Sequence, residues 1–399
     1  MQQRLSGVDV EFSLAWLLQP LPVETFLDEI WGATHYHVKR GCAGYFDGLL
    51  HRPSAAEALL ESYRREPSAV RLVRGEEKHG SDGLADGSLD HVRVRNDFAD
   101  GYTIVLDDVE QYVRTIASLA HAIEVELNFA TKVNAYVTPP ESQGFLAHYD
   151  EHDVLILQIQ GSKIWHLYNG ADVPPHEMRR REPVDMAGLP LPTDVRLEAG
   201  DVLYLPRGRV HAAEATSEPS VHLTVGIHAP TLLALVTRAL YSLSFSDDRV
   251  HTQLPPRHLD DPDIRASVVG LVRDVVQALD EPGVIADGLG SLEEDLVKRG
   301  RCPPVGPGIS GAIGIDEQTL VVKYQPLFAR VTEVSGGVAL HFAQLVINAN
   351  PDHKDALRFL SKSTEPFRVC DLPGLAAAQQ TELARTLIVS GFLVRLPDD

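Results

Sequence analysis

Between Lys132 and His228 the chain breaks into short β-rich runs separated by Pro, Gly and Asp, among them KVNAYVT, RLEAGDVLYLPRGRVHAA and SVHLTVGIH. Runs this short and this closely spaced can pair with near neighbours through turns, whereas parallel strands need a crossover of a dozen or more residues between them. The pattern therefore predicts an antiparallel sandwich or jelly roll rather than alternating βα units.

The flanks read differently. Residues from about Phe26 to Leu50 suggest a helix, a strand and a further helix, and apolar residues recur at helical spacing from Val109 to Leu127. GEEKHGSDGLADGSLD, Gly75 to Asp90, is rich in Gly and charge and is expected to be an exposed loop or flap. After Pro230, LLALVTRALYSL, IRASVVGLVRDVVQALD and SLEEDLVKR are amphipathic helical segments. CPPVGPGISGAIG, Cys302 to Gly314, has linker composition, and beyond it come strand-like runs, helices near His353–Ser363 and Ala377–Ser390, and the closing strand GFLVRL. With 399 residues, two or three domains are expected. The boundaries read as 1–230, 231–303 and 304–399.

Chemistry concentrates in HYDEHDVLILQIQGSKIWHLY, His148 to Tyr168. In an extended segment residues i and i+2 share a face, so His148 and Asp150 can reach one metal ion while Tyr149 points away. A His-x-Asp pair by itself arises often by chance. The segment AGDVLYLPRGRVHAA adds a strand and a Pro-Arg-Gly turn that deliver a third ligand, His211. Two histidines and a carboxylate leave open positions on a mononuclear ion, the arrangement of non-haem Fe(II) oxygenases. Lys163 follows Gly161 and Ser162 in an otherwise apolar run. A lysine facing a barrel interior is costly without an anion, which a dicarboxylate would supply; at a strand end it would instead extend to water. Asn134 and Tyr136, another i, i+2 pair, could line the same cavity or pack in the sheet.

These segments, NAYVTPPESQGFLAHYDEHDVLILQIQGSKIWHLY, LEAGDVLYLPRGRVHAAEA and VHLTVGIH, resemble the JmjC-type 2-oxoglutarate oxygenases, specifically the ribosomal oxygenase branch. The resemblance runs from roughly Phe26 to Pro230. It implies a mainly β plus α chain in which a double-stranded β-helix of the cupin type carries a helical dimerisation domain and a winged-helix-like end. It implies that His148, Asp150 and His211 bind Fe(II), that Lys163 binds the distal carboxylate of 2-oxoglutarate, and that Asn134 and Tyr136 flank this cosubstrate. With O2 the reaction would hydroxylate a C–H bond of a protein side chain, most naturally in a ribosomal protein. A biosynthetic peptide or small molecule, or a metal-binding cupin that does not use 2-oxoglutarate, stays open as an alternative. One departure stands out: a serine frequent in the family late on the strand after the distal histidine is Gly226 here. A bacterial subgroup has arginine where Lys163 stands, so the lysine leans toward the eukaryotic-like pattern without fixing the substrate.

Acidic residues outnumber basic ones 56 to 36, for a net charge of -20, which favours a basic peptide or protein over nucleic acid. From Ser310 onward there are eight Lys or Arg against ten Asp or Glu, so direct DNA binding is not expected. Cys42, Cys302 and Cys370 form no CxxC pair and imply a reducing compartment. MQQRLSGVDVEFSLAW lacks the plan of a signal peptide and no apolar run approaches membrane-spanning length, so a cytoplasmic protein is expected. Among the other histidines, His152 and His166 read as surface groups or groups supporting the ligands from behind, and His222 as a hydrogen-bonded core histidine or one that tunes the site; His35 and His37, an i, i+2 pair with no carboxylate beside it, are not expected to bind metal.

Overall fold

A computed structural model describes residues 12–50, 55–81, 83–173, 184–300, 313–324, 327–334 and 336–396. The chain divides into two compact units, Met1–Ala229 and Pro230–Asp399.

In the first unit, α1 (Leu14–Leu18), α2 (Val23–Thr25) and a π-helical turn (Phe26–Ile30) lead into β1 (Tyr36–Val38). Then come α3 (Ala55–Ser62), β2 (Val70–Arg74), β3 (Glu77–Gly80), α4 (His91–Ala99), β4 (Thr103–Leu106), α5 (Arg114–Leu127) and β5 (Ala130–Thr138). The remaining strands are β6 (Asp153–Gln160), β7 (Ser162–Leu167), β8 (Thr193–Glu198), β9 (Val202–Leu205), β10 (His211–Ala215) and β11 (Ser220–His228). They form an eight-stranded sheet ordered β1-β9-β6-β11-β5-β4-β2-β3 and a three-stranded sheet ordered β10-β7-β8. Every pairing within them is antiparallel.

Side-chain alternation decides which surface each strand presents. Val133, Ala135 and Val137 of β5, Leu155, Leu157 and Ile159 of β6, and Val221, Leu223 and Val225 of β11 share one core with Leu14, Leu17 and Leu18 of α1 and Ile116, Leu119 and Ile123 of α5. On the opposite face, Val154, Ile156, Leu203 and Leu205 meet Trp165, Leu167 and Leu197 of the small sheet. A strand buried on both faces loses its polar alternation, which is why VLILQI reads as a continuous apolar run.

Tight turns connect the two sheets. Gly161, between β6 and β7, has φ +66, and a Cβ there would lie 2.2 Å from the Pro219 carbonyl oxygen. Gly161→Ala is therefore expected to destabilise the protein by more than about 2 kcal/mol, through left-handed strain and a backbone clash. Denaturant unfolding measures this; an unchanged midpoint would contradict the packing.

Three sequence expectations change. No helix forms between β1 and Leu50, where hydrogen-bonded turns such as Tyr45 N–H to Cys42 O take its place. The aromatic residues that suggested a helix are used in packing instead, Trp16 stacking on Tyr45 with centroids 4.9 Å apart. The expected flap is partly a strand, since Glu77–Gly80 pairs with Arg71–Arg74, giving its polar residues the backbone partners that a solvent loop would lack. His148 and Asp150 precede β6 rather than lying within a strand, and extended geometry at His148 comes from an isolated bridge to His211. The linker expected over Cys302–Gly314 lies outside the described residues up to residue 312, as does the amino terminus up to residue 11.

In the second unit, α6 (Leu232–Leu243), α7 (Pro262–Leu279) and α8 (Pro282–Arg299) are followed by β12 (Leu320–Lys323), β13 (Ala329–Val334), β14 (Gly337–Phe342) and β15 (Leu345–Ala349). The chain continues through α9 (Lys354–Lys362), β16 (Phe367–Arg368), α10 (Ala377–Val389) and β17 (Leu393–Arg395). Two three-stranded sheets result, β16-β12-β17 and β13-β14-β15. They share one core with α9 and α10, through Leu357 and Leu360 of α9 and Leu383 and Leu387 of α10. Among the described residues no helix is long and apolar enough to cross a membrane.

Candidate metal centre and its cavity

The bridge between His148 and His211 brings the two imidazoles together. His148 N–H donates to His211 O at 2.9 Å, and His211 N–H donates to His148 O at 2.8 Å. Their ring centroids are 4.5 Å apart. Asp150, two residues on, presents a carboxylate oxygen 3.7 Å from His211 Nε2. One ligand atom from each of the three lies within 4.8 Å of the others, the one such cluster of three or more His, Cys, Asp or Glu among the described residues. Tyr149 turns away into a separate apolar cluster with Ala147, Val210 and Ala212.

Hydrogen bonds orient the rings. His148 Nδ1 lies 2.8 Å from Leu146 O, and His211 Nδ1 lies 2.8 Å from Arg209 O. A carbonyl only accepts, so each Nδ1 carries a proton and Nε2 is the atom each ring can offer to a metal ion. His211 Nε2 and the Asp150 carboxylate oxygen, 3.7 Å apart, could both reach a cation between them. Two neutral imidazoles and one carboxylate suit a divalent first-row metal ion such as Fe(II).

A cavity of about 710 Å³ opens beside these ligands. The large sheet lines it with Arg71, Thr103, Asn134, Tyr136, Val154, Ile156, His222 and Thr224, and the small sheet contributes Lys163, Trp165, His211 and Ala213. The register explains the set. His222 is opposite Tyr136 and Thr224 opposite Asn134 across β11 and β5.

Lys163 is only 3% exposed. Its Nζ donates to Thr138 Oγ1 at 2.9 Å, and burial pulls its pKa down to about 7. An ammonium has three donors, and no carboxylate forms an ion pair with this one among the described residues. Asn134 Oδ1 accepts from the Asp108 N–H at 3.2 Å. Burial pushes the Tyr136 hydroxyl up to about 12, holding it protonated. Around the cavity entrance stand Glu76, Lys78, Phe145, Leu146 and Met186, with the Lys78 ammonium 5.0 Å from the Phe145 ring centre.

All six residues singled out in the sequence thus line one cavity. Trp165 and Thr138 escaped assignment to the site. The period-two signal was available for both, since Trp165 is i+2 from Lys163 and Thr138 is i+2 from Tyr136. His222 differs from its expected role as a hydrogen-bonded core residue, because its buried Nδ1 has no hydrogen-bond partner among the described residues. His166 points outward, its Nδ1 2.6 Å from Asp194. His37 pairs with Asp201 at 3.0 Å, and His35 joins no metal-ligand cluster. At Gly226 a Cβ would lie 2.7 Å from the His152 ring. That imidazole, 4.3 Å from His228 between centroids, takes the space a serine side chain would need.

Two antiparallel sheets around a cavity that gathers two histidines and one carboxylate define a cupin-type fold of the JmjC kind. Residues 109–235 match the JmjC domain model. Among curated relatives, ribosomal oxygenase 2 of Rattus norvegicus is 29% identical over 307 residues, covering 72% of this chain and 64% of that protein. The bifunctional lysine-specific demethylase and histidyl-hydroxylase NO66 of Drosophila mojavensis is 30% identical over 225 residues, covering 54% of this chain and 24% of that protein. The chain thus spans less than two thirds of the length of these relatives. Among solved structures, the Escherichia coli ribosomal oxygenase YcfD in complex with cobalt and 2-oxoglutarate has a TM-score of 0.58 at 19% identity, covering 94% of this chain and 98% of that one. Residues 109–235 thus carry a JmjC domain, and the chain is similar to proteins of the ribosomal oxygenase type.

Proposed function

We propose that this protein is a 2-oxoglutarate- and Fe(II)-dependent oxygenase that hydroxylates a C–H bond in a ribosomal protein side chain. The observation that carries this reading is the presence, in one cavity, of the His148, Asp150 and His211 donor set and the buried ammonium of Lys163. The donor set fits a divalent metal, and the lysine fits the far carboxylate of a dicarboxylate. The E. coli structure of the same fold in complex with cobalt and 2-oxoglutarate supports that pairing.

In this reading His148, Asp150 and His211 hold Fe(II), Lys163 holds the distal carboxylate of 2-oxoglutarate, and Asn134 and Tyr136 flank it. Fe(II) with bound 2-oxoglutarate and O2 supplies oxidative decarboxylation to succinate coupled to insertion of one oxygen atom into C–H. The protein's own part is orientation and dryness. Tyr136 remains a neutral donor. Val154, Ile156 and Trp165 exclude water, and the entrance near Glu76 and Phe145 admits the substrate side chain. The net charge of -20 favours a basic substrate segment. Incubation with Fe(II), 2-oxoglutarate and purified ribosomal proteins, followed by intact-mass measurement, should add one oxygen to one protein with matching succinate. Absence of both across the full set would overturn the reading.

Three finer assignments accompany it. The region 231–303 forms a homodimerisation surface. Val269, Val272 and Val276 of α7 are 56%, 56% and 57% exposed, an apolar row at helical spacing that a second copy would cover. Val272→Asp with Val276→Asp should convert a dimer to a monomer in light scattering; a wild-type chain that is already monomeric would remove the assignment. The region 304–399 is a winged-helix-like domain with a protein-binding or structural role, and the protein works in the cytoplasm.

A further inference from the structure

His222 is a buried titratable group of the cavity wall with no role in the proposed function so far. It belongs to a row crossing the large sheet, Val105 opposite Tyr136 and Tyr136 opposite His222. Its ring lies flat on Tyr136, with centroids 4.6 Å apart and planes 2° from parallel, and stands edge-on to Trp165 at 5.5 Å and 84°. Both neighbours line the cavity, as His222 itself does. Two aromatic faces therefore fix the plane of the imidazole. Its Nδ1 is shut away without a partner among the described residues, which leaves Nε2 as the nitrogen for a cavity ligand. A buried polar side chain without a partner is costly, and phenylalanine could make the same stack without that cost.

We infer that His222 is a positioning residue for the cosubstrate, giving an Nε2–H hydrogen bond to the carboxylate end that Lys163 attracts. This rests on the proposed 2-oxoglutarate site. Burial, and then the nearby Lys163 charge, hold the His222 pKa well below its ordinary value. The ring is thus neutral and adds a donor without adding a second buried cation, which would repel Lys163. Lys163 supplies attraction, the imidazole supplies direction, and the Tyr136 stack prevents the ring from turning out of line.

The test compares two ligands on the full chain loaded with Zn(II), by calorimetry. 2-Oxoglutarate carries the distal carboxylate and 2-oxobutyrate lacks it. In the wild type 2-oxoglutarate should bind more tightly. His222→Phe, which keeps the stack, should reduce that preference about 10-fold, as expected for a lost hydrogen bond to a charged group. Affinity for 2-oxobutyrate should be unchanged, and His222→Gln, which keeps an N–H donor, should retain most of the preference. Equal weakening of both ligands by His222→Phe, or no weakening, would overturn the inference while leaving the Lys163 site standing. A wild type without preference would overturn both. A second measurement needs no variant: the ring 15N resonances of His222 should shift when 2-oxoglutarate is added and stay in place with 2-oxobutyrate, and no shift with either overturns the inference.

Discussion

His211→Ala is expected to abolish metal-dependent turnover while leaving a folded protein. The strand it begins is held by backbone pairing, Ala212 with His166 through Ala215 with Lys163, so the fold does not depend on the imidazole. Metal binding does. Even partners outside the direct ligand set contribute about 10–100-fold to affinity in metal sites, so loss of one of three protein ligands should weaken binding by at least about 100-fold. Thermal unfolding reads this directly, because a ligand that binds only the native state stabilises it by about 2.7 kcal/mol at a concentration of 100 Kd. The wild type should gain stability on addition of Mn(II) or Zn(II), and His211→Ala should gain almost none at the same concentration. Asp150→Ala and His148→Ala should behave alike, since the three ligand atoms form one cluster. A His211→Ala protein with the full metal-induced shift would remove the proposed centre. Succinate release from 2-oxoglutarate should disappear in parallel.

How much of this was legible in the chain follows from the range over which each signal acts. Period-two alternation is local, so His148 with Asp150, and Asn134 with Tyr136, could be paired on a face from spacing alone. The antiparallel class followed from short runs and turn residues. Which helix covers which face was not legible, because the core joining α1, α5 and the large sheet is made by residues far apart in sequence. The missing helix after β1 shows the same limit: Tyr45 and Phe46 satisfy an aromatic cluster around Trp16 rather than a local helical face. His222 could be read as tuning the site or as a core histidine but not decided between the two, since its setting is made by two partners on other strands, Tyr136 and Trp165. Gly226 was visible as a departure, but its reason was not, because the occupant of the vacated space is His152 from another segment.

Lys163→Met should raise the stability of the cofactor-free protein and, in the same stroke, destroy its affinity for 2-oxoglutarate. The side chain is buried, bonded to one hydroxyl, and without an ion-pair partner among the described residues. Replacing such a cation with an apolar chain of similar length removes a desolvation penalty, so the melting temperature of the empty protein should increase. Truncating one partner of a buried, hydrogen-bonded charge pair costs about 2–5 kcal/mol, so 2-oxoglutarate should bind roughly 30-fold or more weakly. The pH dependence carries the same signature. In the empty protein the ammonium loses its proton near 7, against an ordinary value of 10.5 in the unfolded chain. Between those values the unfolded state holds a proton that the native state lacks, so native stability rises with pH across that window. Below about 7 both states are protonated and the lysine contributes no slope. A bound dicarboxylate favours the charged form and raises the native pKa, which should flatten the rise and make 2-oxoglutarate affinity fall as pH climbs above about 7. In Lys163→Met both dependences should vanish. Calorimetry and thermal melts at pH 6.5, 7.5 and 8.5, chosen to lie on either side of a pKa of about 7, decide the matter: undiminished 2-oxoglutarate affinity in the variant would show that the ammonium holds no cosubstrate.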